Sequence, residues 1–104
     1  MNETRLYHAD WCRAKELGTE AAIVWVDLMV LLGQSPRCGV ATVPRGVLQR
    51  YDAATTERIL TALEKSGLLV MDGDTIISPC MVSGGRYATL SEAQVRVVLA
   101  GGQP

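Results

Sequence analysis

The sequence predicts a small α+β domain that is mainly helical, with a helix at each end. The 104-residue length, the helical spacing of apolar residues in several segments, and short β-branched segments beside turn residues all predict this class. Single domains commonly contain roughly 100–150 residues. We therefore expect one domain over residues 1–104, made of an N-terminal helix (1–18), a core (20–89) and a C-terminal helix (91–100).

The N-terminal part predicts two helices separated by a glycine. Residues 4–17 carry a partial apolar stripe, and Gly18 is typical of a helix end. Thr19 is a favoured N-cap for a second helix that runs to about residue 32. Residues 21–32 are apolar apart from Asp27, so this helix must be covered on most sides. It is shorter than the roughly 20 residues of a membrane span.

A short strand and two further helices are predicted next. Residues 40–43 are mostly β-branched, and Pro44 suits the first turn of a third helix over residues 45–51. After a turn at residues 52–54, we expect a fourth helix over residues 55–66. Its inward stripe has the three- and four-residue spacing of a helix and consists of Thr56, Ile59, Leu60 and Leu63.

A β-hairpin is predicted after Gly67. Residues 68–71 and 75–78 have strand character on either side of the tight-turn sequence Asp72-Gly-Asp74. Pro79 is expected to end the second strand. Residues 86–89 are predicted as a third short strand.

The last helix is expected to begin after Ser91, a favoured N-cap, and to run to about residue 99. Together with the second helix, it carries more apolar surface than a small core needs; its contributors are Val95, Val97, Val98 and Leu99. We therefore expect a homodimer formed through the terminal helices.

Three residues in the first two helices leave alternatives open. Trp25 is expected in the core, whereas Trp11 and Tyr7 suit either the core or a subunit interface, where aromatic residues are enriched. Asp27 is expected on a solvent-facing stripe or paired with an arginine, because a buried unpaired carboxylate is costly.

Composition excludes several classes of protein. Apolar residues make up 48% and charged residues 20%, which excludes a disordered charged tail. The net charge of −1 excludes a strongly basic DNA-coating protein. Residues 37–65 are nevertheless locally basic, with five cations against three acids. The opening residues carry no signal pattern and the three cysteines have no short spacing, so we expect a cytoplasmic protein with reduced thiols.

The order of these elements resembles the winged helix-turn-helix superfamily. The segment Thr55-Thr-Glu-Arg-Ile-Leu-Thr-Ala-Leu-Glu-Lys-Ser-Gly-Leu-Leu69 is similar to the recognition helix of such proteins and its passage into the wing. The stretch Thr75-Ile-Ile-Ser-Pro-Cys-Met-Val-Ser-Gly84 resembles the wing end of plasmid and phage replication initiators, with Ser78 where those often carry Asn. This resemblance implies double-stranded DNA binding, as a transcriptional regulator or a plasmid or phage replication factor.

A helix of this length can lie in the major groove if its outward face is small and polar. The hairpin would be the wing, with Arg86 near its far end and able to enter or flank a minor groove. The predicted DNA contacts are Arg37, Arg45, Arg50, Ala54, Thr55, Arg58, Thr61 and Arg86. Arg58 is expected to reach guanine or a phosphate, and Arg37, Arg45 and Arg50 are expected to hold phosphates.

The same residues allow a different class of function. Arg58 could instead pair with Asp52, Glu57 or Glu64 as an ordinary solvated charge. Glu57 on the outward face and the two acids of the hairpin turn would repel phosphate. They favour a winged-helix module that binds protein, such as a complex subunit or a phage-encoded inhibitor of a host complex.

No enzyme is predicted, because the chain has one histidine and no catalytic constellation. His8 and Cys12 are spaced as some metal ligands are, and Cys38 and Cys80 could complete a zinc site in principle. Without a Cys-x-x-Cys pair, we expect buried or half-exposed thiols, no metal and no cofactor.

Overall fold

The computed structural model describes residues 2–44, 48, 51–87 and 89–103, with side chains from residue 9 onward in these ranges. Within them the elements follow in the order α1 (Asn2–Glu16), α2 (Thr19–Gln34), β1 (Val40–Thr42), α3 (Ala53–Lys65), β2 (Val70–Asp72), β3 (Thr75–Ile77), α4 (Pro79–Val82) and α5 (Glu92–Leu99). The strands form one antiparallel sheet in the order β1-β3-β2. The predicted α+β class is therefore confirmed.

Helix α2 lies at the centre of the fold and contacts α1, α3 and β1, which provides the cover that its apolar composition requires. Gly18 is its N-cap, with a φ of 121° and a ψ of 164° that suit glycine. The prediction of Thr19 as the N-cap is therefore wrong, because Thr19 is the first helical residue. The helix also continues past its predicted end, to Gln34.

The core forms where α2, α3 and the sheet meet. Leu28, Leu60 and Ile76 are completely buried there. Trp25 is buried as predicted, and its ring lies 5.9 Å from that of the half-buried Trp11, tilted by 37°. Trp11 thus packs within the chain, the first of its two predicted alternatives.

The start of α3 differs from its prediction. The helix begins at Ala53, so the predicted turn at residues 52–54 shortens to Asp52, the extended N-cap residue. Alanine has the highest helix propensity, which explains why both alanines join the helix. The helix predicted over residues 45–51 lies outside the described residues except for Leu48, which is buried, and Tyr51, which is half-buried.

The predicted hairpin is present, with its first strand shifted. Gly73 has a φ of 61° at the first central position of the turn, where a type II′ hairpin requires a positive φ. The first strand is Val70–Asp72 and not residues 68–71. Leu68 and Leu69 precede it and are buried at 1% exposure each, because the core captures both side chains.

The segment after β3 departs most from expectation. Pro79 opens the short helix α4, whose start is capped by Ser78 Oγ accepting the N–H of Met81 at 3.3 Å. The strand predicted over residues 86–89 is wrong in its described part, because Tyr87 N–H donates to Ser83 Oγ at 2.9 Å and turns the chain. The third strand of the sheet is instead β1, paired with β3.

The last helix agrees with its prediction. Ser91 Oγ accepts the N–H of Gln94 at 3.2 Å, and the Gln94 side chain accepts the N–H of Ser91 at 2.8 Å. This reciprocal capping box fixes the start of α5.

Candidate nucleic-acid interface

Helix α3 has one buried face and one exposed face, as its sequence predicts. All four members of the predicted inward stripe are buried: Thr56, Ile59, Leu60 and Leu63. On the opposite face Ala54, Arg58 and Thr61 are exposed, and Thr55 is half-buried. The structure therefore places these four predicted DNA-contact residues on or beside one accessible surface, which we call the α3 face.

Arg58 has an ionic partner that the sequence did not suggest. Its Nη2 atom lies 3.8 Å from Oε2 of Glu20, at the start of α2, and the two side chains are 73% and 54% exposed. One of the predicted alternatives, Glu64, accepts the N–H of Met71 at 3.2 Å and so links the end of α3 to β2. No sequence signal identifies Glu20, because it lies in a different helix.

Arg37 and Arg86 come together in a cleft away from Arg58. The cleft has a volume of about 600 Å³, and its lining includes Arg37, Cys38, Ser83, Arg86 and Gly102. We call it the arginine cleft. Arg58 instead lines a separate groove with Glu20 and Ala21. The predicted contacts in the described residues thus fall on two surfaces.

Both cleft arginines donate to backbone carbonyls. Arg37 Nη2 donates to the Gly102 carbonyl at 2.7 Å. Arg86 Nε donates to the Ser83 carbonyl at 2.8 Å, and its guanidinium carbon lies 6.0 Å from the centre of the Tyr87 ring. Sequence reasoning found both arginines but not Gly102, which is 65 positions from Arg37. Arg45 and Arg50 lie outside the described residues.

The hairpin turn presents acids to solvent. Asp72, Gly73 and Asp74 are all exposed, and Glu57 is exposed on α3. These positions agree with the sequence-based expectation of an acidic turn.

The cysteines occupy three different environments. Cys38 is exposed, Cys12 is half-buried and Cys80 is buried. Burial, with a smaller effect of the Asp10 carboxylate, raises the pKa of Cys80 to about 11. Within the part of the chain that the structure describes, no group of three or more His, Cys, Asp or Glu residues could hold a metal ion. The side chain of His8 lies outside that part.

Asp10 is a buried acid in α1 that sequence reasoning missed. It is 6% exposed. Burial raises the pKa of its carboxyl, and the Arg13 guanidinium opposes this shift more weakly. Asp27, expected either on a solvent-facing stripe or paired with an arginine, is half-buried.

No described helix has both the length and the apolar character that a membrane crossing requires. Comparison with known proteins finds no matching family, no matching curated protein and no matching solved structure.

Proposed function

We propose that the protein binds double-stranded DNA through a winged helix-turn-helix in which α3 is the recognition helix. The observation that carries this proposal is the α3 face, a surface of small and polar side chains opposite a fully packed stripe. Thr61 offers a hydroxyl and a methyl group to base edges, Ala54 offers a methyl group, and Arg58 offers a donor for guanine or phosphate. The biological role would be that of a transcriptional regulator or a plasmid or phage replication factor in the cytoplasm.

The arrangement of the sheet supports the same proposal. The β2–β3 hairpin follows α3 directly, and β3 also pairs with β1, which precedes the predicted helix-turn-helix. This arrangement connects the hairpin to both ends of that segment. The hairpin then serves as the wing, and its strands hold it in a fixed position relative to α3.

The ion pair of Arg58 is weak enough to exchange for a DNA contact. Exposed pairs contribute roughly 0–1 kcal/mol, since both charges stay hydrated. A phosphate or a guanine edge offers Arg58 a charge-assisted or bidentate contact in return. DNA binding therefore requires Arg58 to leave Glu20, at little cost.

The acids limit how the duplex can approach. Asp72 and Asp74 at the hairpin turn, and Glu57 on α3, would repel nearby phosphates. We therefore propose that the tip of the wing points away from the backbone, and that Glu57 accepts from a cytosine amino group in the groove. Arg37 and Arg86 would contact DNA only if a phosphate entered the arginine cleft.

A homodimer would give two recognition helices for successive major grooves. We propose that it forms through the terminal helices, because Val97 and Leu99 of α5 are 43% and 40% exposed. In contrast, Val98 is completely buried and belongs to the core of its own chain.

Fluorescence anisotropy with a labelled random-sequence duplex, at low and high salt, tests the proposal. Binding that weakens steeply with salt is expected, because each neutralised phosphate releases counterions. Selection from a random library would then define the preferred site. A protein that leaves the anisotropy unchanged even at low salt would refute DNA binding.

A protein-binding module is the second candidate, favoured by the outer side of α2. Val26 and Val30, one helical turn apart, are 40% and 52% exposed. An exposed apolar pair together with an acidic hairpin favours binding to a protein partner over binding to a polyanion such as DNA. Under this alternative, charge substitutions on the α3 face would leave partner binding unchanged, whereas Val30→Asp would weaken it.

A further inference from the structure

We propose that the arginine cleft binds the terminal phosphate group of a small phosphorylated molecule. Its volume of about 600 Å³ lies within the roughly 300–1,000 Å³ of ligand pockets. Among the described residues, the lining contains two arginines and no acidic side chain. Two positive charges on one cleft, with no acidic side chain in its described lining, indicate an anionic ligand.

Each guanidinium keeps most of its donors for such a ligand. A guanidinium has five N–H groups, and the contacts with Gly102 and Ser83 use one Nη2 donor of Arg37 and the Nε donor of Arg86. Within the described residues, no acidic side chain pairs with either arginine. The carbonyl contacts therefore fix the orientation of both side chains without neutralising their charge.

The walls of the cleft are held in place by packing around Gly39. This glycine has a φ of 88°, and a Cβ atom on it would lie 2.7 Å from Cβ of Met81. The N–H of Ser78 donates to the Gly39 carbonyl at 2.8 Å. The loop that carries Arg37 is thus closely packed against α4.

The other wall is fixed by Ser83, which is 1% exposed. Its hydroxyl accepts the N–H of Tyr87 at 2.9 Å, next to Arg86 in the chain. Because both arginine-bearing segments are ordered by contacts of their own, ligand binding would require little rearrangement of either wall.

The shape of the cleft favours a terminal phosphate over the backbone of a duplex. Arg37 is half-buried and lines the cleft together with Gly102 and Gln103, so an anion must enter the concavity to contact Arg37 as well as the exposed Arg86. A phosphate monoester has three oxygen acceptors and nearly two negative charges, so it can accept charge-assisted hydrogen bonds from both guanidiniums. A phosphodiester carries one charge and is followed on each side by a nucleoside.

Isothermal titration calorimetry with inorganic pyrophosphate tests the proposal on the full chain. The cleft variant Arg37→Gln/Arg86→Gln is compared with the control variant Lys65→Gln/Arg96→Gln, which removes two exposed positive charges outside the cleft. We expect saturable 1:1 binding to the wild type and to the control variant. In the cleft variant, affinity should fall roughly tenfold or more, because charge-assisted hydrogen bonds are lost.

Absence of saturable binding to the wild type, or equal affinities of the two double variants, would overturn the proposal. Circular dichroism establishes that the variants are folded. If the cleft variant does not fold, Arg86→Gln alone serves in its place, since Arg86 is exposed. That variant is expected to show a smaller loss of pyrophosphate affinity, and wild-type affinity would contradict the proposal.

The duplex assay distinguishes this proposal from the proposed DNA binding. If the wild type binds pyrophosphate and the cleft variant keeps its duplex affinity, the ligand is a small phosphorylated molecule. If the cleft variant loses duplex affinity while pyrophosphate does not bind the wild type, the phosphate belongs to DNA and the proposal is wrong. A wild type that binds pyrophosphate but no duplex would refute DNA binding alone.

Discussion

The guanidinium of Arg58 lies 3.8 Å from the carboxylate of Glu20, so an exposed cation of α3 meets an exposed acid of α2. The pair lies at one side of the surface proposed to face DNA. Its two members should have opposite effects on binding, because only Arg58 carries a charge that attracts a polyanion.

Substituting Arg58→Ala should weaken binding to a selected DNA site by about 1–3 kcal/mol if Arg58 contacts a base. The Glu20→Gln variant is the matched control, since it breaks the same ion pair but leaves Arg58 in place. We expect Glu20→Gln to bind DNA as well as the wild type or better, as measured by fluorescence anisotropy.

Two results would contradict this role of Arg58. One is an unchanged affinity of the Arg58→Ala variant. The other is an equal loss of affinity in both variants, which would mean that the ion pair acts only by holding α2 against α3.

Substituting Gly39→Ala should destabilise the protein more than Gly73→Ala. Both residues have a positive φ, which costs other residues roughly 1–2 kcal/mol. Only at position 39 does an added Cβ meet another atom within 4 Å, with Cβ of Met81 at 2.7 Å. Urea unfolding of the two variants measures the difference, and equal losses of stability would show that the loop carrying Arg37 separates freely from α4.

Substituting Asp10→Asn should alter how stability depends on pH. Burial raises the pKa of Asp10 above its ordinary value of 3.8, so the native state binds this proton more tightly than the unfolded state. The contribution of Asp10 to the free energy of unfolding therefore decreases as the pH rises from 3.8 through the raised pKa, and it stays reduced at neutral pH. Asparagine does not titrate.

The stability of Asp10→Asn relative to the wild type should consequently be more favourable at about pH 7 than at about pH 3. Urea unfolding at both pH values gives this difference, in which the other carboxyls cancel. A difference that is independent of pH, or of opposite sign, would contradict the pKa shift.

The same substitution gives a second readout at Cys80. Burial is the main cause that raises the pKa of this thiol to about 11, and the Asp10 carboxylate is the smaller cause. We therefore expect Asp10→Asn to lower the Cys80 pKa partly, but not to its ordinary value of 9.0. The chemical shift of the Cys80 ¹³Cβ atom follows this titration in a Cys12→Ser/Cys38→Ser background, where Cys80 is the remaining thiol. An unchanged Cys80 pKa in the Asp10→Asn variant would contradict the coupling.

Placing charges on α5 should dissociate the proposed dimer. Val97→Lys/Leu99→Lys places a cation at each of the two exposed apolar positions that flank the buried Val98, and buried unpaired charges are costly in an interface. Analytical ultracentrifugation should show a dimer for the wild type and a monomer for the variant. A wild type that sediments only as an 11.2 kDa species at micromolar concentration would refute the dimer.

Several features of the fold were predictable because their causes are local in sequence. The buried stripe of α3 follows from the spacing of residues such as Ile59 and Leu63 around a helix. The hairpin turn follows from the ability of Gly73 to adopt a positive φ, and the start of α5 follows from the side chain of Ser91.

Other features depended on which segments pack together. Leu68 and Leu69 have strand propensity, but the core takes up both side chains, and β2 begins only at Val70. The segment predicted as a third strand turns instead around the buried hydroxyl of Ser83, while β1 pairs with β3. Propensity could not reveal this pairing, because the partners of a strand are chosen by tertiary packing.

The sequence by itself determined the helical periodicity, the turns and the exposed polar face of α3, since each depends on residues a few positions apart. Only the tertiary structure decided that Arg58 pairs with Glu20, and that Arg37 joins Arg86 and Gly102 in one cleft. These contacts link residues far apart in the chain. The packing of α2 on α3 sets the first contact, and the packing of the loop that carries Arg37 against α4 sets the cleft. No local pattern specifies either.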